Sequence, residues 1–153
     1  GEPLTRALSH SLLVSTDNAH AVHPNYDDKH DPQHRPRLNG GPVIKFNANQ
    51  RYATNSVTAA IFRDLCAKVE VPVQTIAMRS DMACGSTIGP ITASTVGIDT
   101  VDVGAPQLGM HSPRELTGWR DPVWLYLALK AFLESPTRPC LFYTSCAADY
   151  PVP

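Results

Sequence analysis

Four short apolar runs, separated by polar or helix-like segments, constrain the fold of this chain more than any other feature. The runs occupy residues 11–15, 42–46, 71–80 and 99–106 of the 153-residue sequence. Each has the length and the aliphatic content that are typical of a buried β-strand. Because helix-like segments alternate with them, the sequence predicts an α/β fold, in which a mixed or largely parallel sheet is layered against flanking helices.

The segment between the second and third predicted strands has the spacing of an amphipathic helix. Residues 54–71 read TNSVTAAIFRDLCAKVEV. Asn55 is a suitable N-cap, because its short side chain can accept a hydrogen bond from a free backbone N–H of the first turn. We expect one buried face on this helix, formed by the regularly spaced apolar residues Val57, Ala60, Ile61, Leu65 and Val69.

A second, shorter helix is marked by the residues at its two ends. In the stretch CGSTIGPITASTVG, either Ser86 or Thr87 can cap the helix. Pro90 is then expected in its first turn and Gly97 just beyond its last turn, which are the positions that these two residues favour.

The last helix is expected to span residues 122–134, with Asp121 as its N-cap and Pro122 as its first residue. Its apolar contacts are expected from Val123, Leu125, Leu127, Leu129 and Phe132. The remaining residues, 135–153, show no periodicity, and three prolines follow Arg138. We expect them to form a loosely ordered tail beyond a domain that spans residues 1–134.

Charge and composition exclude several classes of protein. The net charge is −1 and the basic residues are scattered, so there is no electrostatic basis for binding nucleic acid or an anionic membrane. No apolar stretch approaches the roughly 18 residues that span a bilayer. The four cysteines form no CxxC pair, which argues against a zinc ribbon. Cys66, in a predicted helix, and Cys84, beside a glycine, are expected to be reduced thiols of a cytoplasmic protein rather than a disulfide. The sequence begins GEPLTRALSH, with neither an initiator methionine nor a signal segment, as expected of a processed chain or of part of a longer protein.

The stretch STDNAHAVHPNYDDKHDPQHRP concentrates four of the six histidines directly after the first predicted strand. Asp17, His20 and His23 lie where an open α/β sheet presents its ligand crevice, and carboxylate with imidazole suits a zinc-type ion. Because Pro24 disfavours a helix at His23, we expect His20 and His23 in a turn. A hydrophilic loop without a metal is an equal alternative. His30 and His34 are expected to be solvated rather than ligands.

Two other segments carry chemistry that the residues alone leave open. His111 follows the fourth predicted strand in the stretch GAPQLGMHSPRE, at the same edge of the sheet, where a lone histidine has more often a structural role than a ligand role. The stretch GSTIGP precedes a helix, so its backbone N–H groups can either be capped locally or face an anion. No Gly-Lys-Ser/Thr follows, so it is not a nucleotide-binding loop.

Four stretches together resemble successive motifs of the aspartyl aminopeptidase family of dizinc exopeptidases. They are STDNAHAVHPNYDDKH, GPVIKFNANQRYATNS, CGSTIGPITAS and VDVGAPQLGMHSPRE, in the family's order and spacing, and the resemblance covers residues 4–134. It implies a zinc-exopeptidase-like α/β fold, incomplete relative to the family. It also implies hydrolysis of peptides with an N-terminal Asp or Glu, two zinc ions in each active site, and a homo-oligomeric, tetrahedral assembly.

The resemblance also implies roles for individual residues. Asp17 resembles a ligand of one zinc and His111 a ligand of the other, and both would then also face the substrate. His20, Lys45 and Tyr52 match substrate-binding positions, and His23 resembles a residue that reaches the active site of a neighbouring subunit. These roles agree with the chemistry, since an ammonium group can bind a substrate carboxylate and a phenol can donate a hydrogen bond to it. Without the resemblance, Lys45 reads as an exposed lysine and Tyr52 equally well as a rim aromatic.

Part of the family's catalytic machinery has no counterpart in this sequence. The family also uses a further histidine ligand, a bridging aspartate and an adjacent pair of glutamates, one of which is the general base. The four glutamates here are isolated from one another: Glu2, Glu70, Glu115 and Glu134. We therefore expect the C-terminal part of a zinc aminopeptidase that is inactive alone. The alternative is a non-catalytic module that binds acidic peptides or assembles with full-length subunits.

Overall fold

The computed structural model describes residues 1–135, which contain four helices, seven strands and one 3-10 segment at Pro24–Lys29. The expected tail at 135–153, with Cys140 and Cys146, lies outside the described residues except for Ser135. The helices are α1 Glu2–Ser9, α2 Ser56–Lys68, α3 Ile88–Val96 and α4 Asp121–Glu134. The strands are β1 Leu12–Thr16, β2 Ala19–His20, β3 Val43–Phe46, β4 Gln74–Ala77, β5 Asp99–Gly104, β6 Pro106–Leu108 and β7 Leu116–Thr117.

The main sheet has four strands in the order β1-β5-β3-β4. β1 is parallel to β5, β3 is parallel to β4, and the central pair β3 and β5 is antiparallel. These are the four strands that the apolar runs predict, and the mixed α/β architecture is confirmed. β1 is an edge strand in which only Ser15 is buried and Leu12, Leu13 and Val14 are half-buried, so the expectation of a buried first strand is only partly met.

A second, smaller sheet, in the order β2-β6-β7, begins where two strands of the main sheet end. The neighbours β1 and β5 both continue into it, as β2 and β6, which are again parallel. At this crossing Gly104 has no side chain because the backbone carbonyl of Asp17 passes directly over its Cα, and a Cβ there would collide with that oxygen. The crossing places Asp17 and His20 at the junction of the two sheets.

The core lies between the main sheet and the helix pair α2 and α4. Ile44, Phe62, Val101, Val103 and Ala128 are fully buried in it. Burial of a side chain of the size of Ile44 or Phe62 contributes about 1.5–3 kcal/mol to folding. This packing fixes β3 and β5, the two strands that pass beneath the junction.

The N-cap of α2 is the one that the sequence predicts, but its buried face differs. The Asn55 side chain accepts a hydrogen bond from the Thr58 N–H at 2.9 Å, and the Thr58 hydroxyl accepts one from the Asn55 N–H at 3.1 Å. Val57, expected in the core, is 45% exposed. The buried face is centred instead on a slightly rotated stripe: Thr58, Ala59, Ile61, Phe62, Leu65 and Cys66.

The start and end of α3 follow the predicted positions, with one difference in chemistry. Gly97 ends the helix in the left-handed conformation, at φ 70°. Thr87 occupies the N-cap position, but it makes no capping hydrogen bond. Its hydroxyl donates instead to the carboxylate of Asp102 at 2.7 Å, so the expectation of a side-chain cap is wrong.

Asp121 is the first residue of α4, not its N-cap, which is Arg120. The carboxylate of Asp121 is turned away from its own helix, because it accepts hydrogen bonds from the N–H groups of Asn39 at 2.6 Å and Gly41 at 2.9 Å. It thereby ties the loop that precedes β3 to the start of α4. Val123, expected to pack inward, is 53% exposed, whereas Trp124, Leu125 and Leu127 contact the core.

Two general expectations concern the described residues as a whole. None of the helices within residues 1–135 combines the length and the hydropathy that crossing a membrane requires. Cys66 and Cys84 are both free thiols, as predicted.

Candidate active site

Five residues singled out by the sequence line one cleft of about 220 Å³ at the junction of the two sheets: Asp17, His20, Lys45, Tyr52 and His111. They come from four separate parts of the chain. The loop that contains Gly85, Ser86 and Thr87 forms another wall of the same cleft. The fold therefore brings together most of the polar groups that the sequence analysis proposed, in a concave site.

Asp17 and Lys45 form the charged centre of the cleft. Asp17 immediately follows β1, and its N–H is held by the carbonyl of Val103 at 3.0 Å. Its carboxylate lies 3.5 Å from the ammonium of Lys45, and its side chain is 58% exposed. A carboxylate with this exposure retains free lone pairs that can face a ligand in the cleft.

Lys45 is a buried lysine on a central strand, not the exposed lysine that composition alone suggests. Its side chain is 2% exposed, and its ammonium lies 5.3 Å from the centre of the Tyr52 ring. Burial lowers the pKa of Lys45, and the carboxylates of Asp17 and Asp102 oppose that shift. A buried ammonium is costly, and groups whose pKa is shifted by burial in a cleft are candidates for a functional site.

Tyr52 is buried against the same wall, with 9% of its surface exposed. The thiol of Cys84 lies 3.4 Å from its phenol oxygen. Burial, together with the contact to Cys84, raises the pKa of Tyr52 well above its usual range. The phenol is therefore a neutral hydrogen-bond donor or acceptor at physiological pH.

His20 and His23 separate at the edge of the cleft. His20 belongs to β2, so the expectation that it lies in a turn is wrong, and it faces both the cleft and a neighbouring cavity of about 500 Å³. Partial burial lowers the pKa of His20, and the nearby His30 and Lys45 act in the same direction. His23 caps the 3-10 segment and lines the neighbouring cavity, not the cleft.

His30 and His34 are neither freely solvated nor part of the cleft that holds Asp17. His30 lines the neighbouring cavity, with Nε2 3.4 Å from the carbonyl of His20, while its buried Nδ1 has no hydrogen-bond partner among residues 1–135. His34 is paired with Asp31 at 2.7 Å, and this hydrogen bond lowers the pKa of Asp31. The two residues therefore stay outside the candidate metal site.

His111 lies in the turn that joins β6 to β7, in an unusual backbone conformation. Its φ is 66°, in the left-handed region that a non-glycine residue rarely adopts. The side chain of Glu115 holds this turn by accepting a hydrogen bond from the His111 N–H at 2.6 Å. Such strain is retained where the rest of the structure enforces it, often at functional sites. Here it presents an exposed imidazole to the cleft.

Asp102 is the functional candidate that sequence reasoning missed. It is fully buried in the middle of β5, and it accepts hydrogen bonds from the Ala53 N–H at 2.6 Å and from the Thr87 hydroxyl at 2.7 Å. The available signal was a carboxylate in the apolar run DTVDVG, because aspartate is almost never fully buried unless it has partners. Its partners could not be read from the sequence.

Asp17 and His111 each have the chemistry of a zinc ligand. One offers a half-exposed carboxylate and the other an exposed imidazole to the same cleft, and zinc binds both types of group. Within residues 1–135, however, no group of three or more His, Cys, Asp or Glu side chains is arranged to hold a metal ion. Since a structural zinc site takes four ligands and a catalytic site three, the described residues supply only part of one.

Comparison with known proteins identifies the family of this chain. The profile of the family described as "Aminopeptidase I zinc metalloprotease (M18)" matches residues 2–133. "Probable M18 family aminopeptidase 2" of Pseudomonas aeruginosa (strain UCBPP-PA14) is 63% identical over 139 residues, covering 91% of this chain and 32% of that protein. The protein of the same name from Ectopseudomonas mendocina (strain ymp) is 62% identical, with the same coverage. The chain thus spans about a third of the length of these relatives.

Solved structures show the same fold. The cryo-EM structure of the Ape4 and Nbr1 complex contains a chain that matches with a TM-score of 0.82 at 43% identity, over 84% of this chain and 25% of that one. The dodecamer of S. cerevisiae mApe1 matches with a TM-score of 0.77 at 30% identity, over 86% of this chain and 28% of that one. The family profile covers nearly all of the described residues, and this chain therefore belongs to the aminopeptidase I zinc metalloprotease (M18) family.

Proposed function

We propose that this chain supplies the substrate-binding floor and two zinc ligands of an aminopeptidase that removes N-terminal Asp or Glu from peptides. The observation that carries the proposal is the buried ammonium of Lys45 at the base of the cleft, beside Asp17 and Tyr52. An acidic side chain that enters the cleft meets this ammonium in a water-poor environment, where the interaction of opposite charges is strong.

Each residue of the cleft has a role in this proposal. Asp17 and His111 would each hold one of two zinc ions, and zinc supplies the Lewis acidity that activates water and polarises the scissile carbonyl. Lys45 binds the substrate carboxylate, Tyr52 hydrogen-bonds to the substrate, and His20 contacts the substrate at the edge of the cleft. The general-base glutamate and the remaining zinc ligands would come from residues that this chain does not contain.

The proposal extends to assembly and location. The S. cerevisiae mApe1 relative is a dodecamer, and we expect this protein to form a tetrahedral homo-oligomer in which His23 reaches a neighbouring active site. The position of His23 on a cavity beside the cleft, rather than within the cleft, supports that role. The free thiols Cys66 and Cys84 suit the cytoplasm.

The incomplete donor set gives the first test. The purified 153-residue chain should retain little zinc after loading and dialysis, and it should not hydrolyse peptides with an N-terminal Asp or Glu, because the base and several ligands are missing. One or two tightly held zinc ions per chain, measured by elemental analysis, would contradict this account of the site. Turnover by the pure chain would contradict the missing base.

Specificity is tested in the full-length protein that carries this sequence. Lys45→Met should lower kcat/KM for acidic substrates by roughly 30-fold to several thousand-fold, as expected for loss of one partner of a buried charge pair worth 2–5 kcal/mol. Neutral substrates should lose much less. Lys68→Met, at an exposed lysine on α2, is the control. Equal losses for acidic and neutral substrates would show that Lys45 does not determine specificity.

The second candidate function is a module that binds acidic peptides without cleaving them. The buried Lys45 supports it as well, since recognition of a carboxylate does not require zinc. The two functions differ in their response to His111→Ala in the full-length protein. A hydrolase should lose activity by orders of magnitude, because a zinc ligand is removed, whereas peptide affinity of a binding module should change little.

A further inference from the structure

We propose that Asp102 is a positioning residue that fixes both loops forming the walls of the cleft, the one at 52–54 and the one at 84–87. Asp102 does not line the cleft; it lies beneath it, with no exposed surface. The inference rests on the proposed function only in taking this cleft to be the substrate-binding site.

The first loop is held at two points. The Ala53 N–H donates a hydrogen bond to Asp102 Oδ2 at 2.6 Å, and the Asp102 N–H donates to the hydroxyl of Thr54 at 2.8 Å. Tyr52 is the residue before Ala53, so the position of its ring over the Lys45 ammonium depends on where this backbone is fixed. The Asp102 carboxylate therefore holds the backbone directly next to a proposed substrate-binding side chain.

The second loop is held through the other carboxylate oxygen. The Thr87 hydroxyl donates to Asp102 Oδ1 at 2.7 Å. Gly89, in the first turn of α3, packs so closely on Asp102 that a Cβ would collide with both carboxylate oxygens. The N-terminus of α3 thus contacts the Asp102 side chain directly. The same contact fixes the end of the loop that carries Cys84.

The hydrogen bond of Thr87 indicates that the arrangement is not a simple helix cap. A threonine at the N-cap position normally accepts a hydrogen bond from its own helix. Thr87 gives up that role, and α3 begins without a side-chain cap. Asp102 thereby joins two loops that are far apart in the chain, since Ala53 and Thr87 lie 49 and 15 residues from it.

The charge of Asp102 also belongs to the electrostatics of the cleft. The Asp102 carboxylate favours the charged form of Lys45, in addition to the nearer carboxylate of Asp17. A buried carboxylate is tolerated when it accepts several hydrogen bonds and lies near a positive group or a helix N-terminus. Asp102 accepts hydrogen bonds from two loops, interacts with the ammonium of Lys45 and lies beside the N-terminus of α3. Each of these groups belongs to an element that borders the cleft.

Asp121 provides a matched control elsewhere in the molecule. It is also fully buried, it also accepts two short hydrogen bonds, and a Cβ on Gly118 would collide with its carboxylate, as on Gly89 with Asp102. Its partners, Asn39 and Gly41, do not line the cleft. Loss of either carboxylate should weaken the fold, but only loss of Asp102 should loosen the two loops selectively.

The test uses two local reporters in the 153-residue chain. The first is hydrogen exchange of the Ala53 amide, followed by NMR, and the second is the alkylation rate of Cys84, read by mass spectrometry of the tryptic peptide that contains it. Asp102→Asn should accelerate both by about tenfold or more beyond the change in global unfolding. Asp121→Asn should change neither beyond its effect on global unfolding. Unchanged reporters in Asp102→Asn, or equal changes in both variants, would overturn the proposal.

A second pair of variants keeps the test decisive if Asp102→Asn does not fold. Thr87→Val removes one hydrogen bond to Asp102 and should accelerate alkylation of Cys84 several-fold, and Thr87→Ser, which keeps the hydroxyl, should restore the original rate. Failure of Ser to restore it would overturn the role of the Thr87–Asp102 contact. In the full-length protein, Asp102→Asn should raise KM for acidic peptides more than it lowers kcat. A protein with loosened loops but no acidic preference would refute the proposed function and leave the role of Asp102 standing.

Discussion

Lys45 should make the protein less stable than an uncharged side chain of the same shape would. Its side chain is 2% exposed, and its charge interacts with the half-exposed carboxylate of Asp17 at 3.5 Å, with the Tyr52 ring and with the buried carboxylate of Asp102. Burial is the dominant influence on its pKa and lowers it, which means that the environment disfavours the charged form despite these partners. Replacement by Met, which keeps most of the stem volume, should therefore stabilise the fold.

The magnitude follows from the opposing terms. The substitution loses the ion pair with the half-exposed Asp17, worth about 0.2–1 kcal/mol, a cation–π contact worth about 0.5–2 kcal/mol, and the attraction of the Asp102 carboxylate. It relieves a desolvation penalty of several kcal/mol for the buried ion. The net expectation for Lys45→Met is a gain of about 1–2 kcal/mol in the free energy of unfolding, which raises Tm by roughly 2–8 °C for a chain of this size.

Urea and thermal unfolding of the 153-residue chain, followed by circular dichroism, measure this gain. Lys68→Met is the control, because Lys68 is 59% exposed and its pairing with Asp64 should contribute less than about 0.5 kcal/mol. Lys45→Ala should be less stable than Lys45→Met, since it also leaves a cavity. If Lys45→Met lowered the free energy of unfolding by more than 1 kcal/mol, the ammonium would be a net stabilising group, and the view that it is kept for ligand binding would lose its physical basis.

Three further predictions concern other parts of the structure. Gly104→Ala should cost at least about 3 kcal/mol or prevent folding, because its Cβ meets the Asp17 carbonyl, whereas Gly85→Ala, with open space around it, should be close to neutral in urea unfolding. His111→Gly should stabilise the chain by about 1 kcal/mol by relieving its left-handed backbone, and a loss of stability would show that the imidazole has structural contacts. Burial raises the pKa of Cys66 from 9.0 to about 12, so the unfolded thiol ionises first and the free energy of unfolding should fall as pH rises through that window. Cys66→Ala should reduce this fall, and an identical alkaline slope in both proteins would contradict the shift.

Features set by neighbours in the sequence were predictable from it. The four strands of the main sheet, the Asn55 cap and the left-handed Gly97 all depend on residues within a few positions of one another. The same local reasoning failed at Thr87 and Asp121. Both have capping-type side chains at helix starts, but distant groups compete for them: Asp102 for the Thr87 hydroxyl, and the N–H groups of the loop before β3 for the Asp121 carboxylate. A cap rule cannot anticipate such a competitor.

The residues of the cleft were foreseen through the family motifs, but their physical states were not. Spacing alone left Lys45 as an exposed lysine, because its burial depends on β3 lying between β4 and β5 in the sheet. The second sheet was also missed, since its strands are only two or three residues long and carry no periodic signal. Yet this small sheet places His20 at the cleft and begins the turn that holds His111.

The polar groups in and beneath the cleft differ in burial, and this difference determines which of them need further groups to complete the site. Lys45, Tyr52 and the supporting Asp102 are buried and are positioned by contacts within this chain. Asp17 and His111, the proposed zinc ligands, are exposed at the rim, and within residues 1–135 they belong to no group of three or more side chains arranged to hold a metal ion. Groups that recognise a substrate can be preset by one folded unit, but a metal needs ligands that converge from all sides. We therefore expect acidic-peptide affinity to survive, weakly, in this chain alone, whereas tight zinc binding should require the rest of the family's active site.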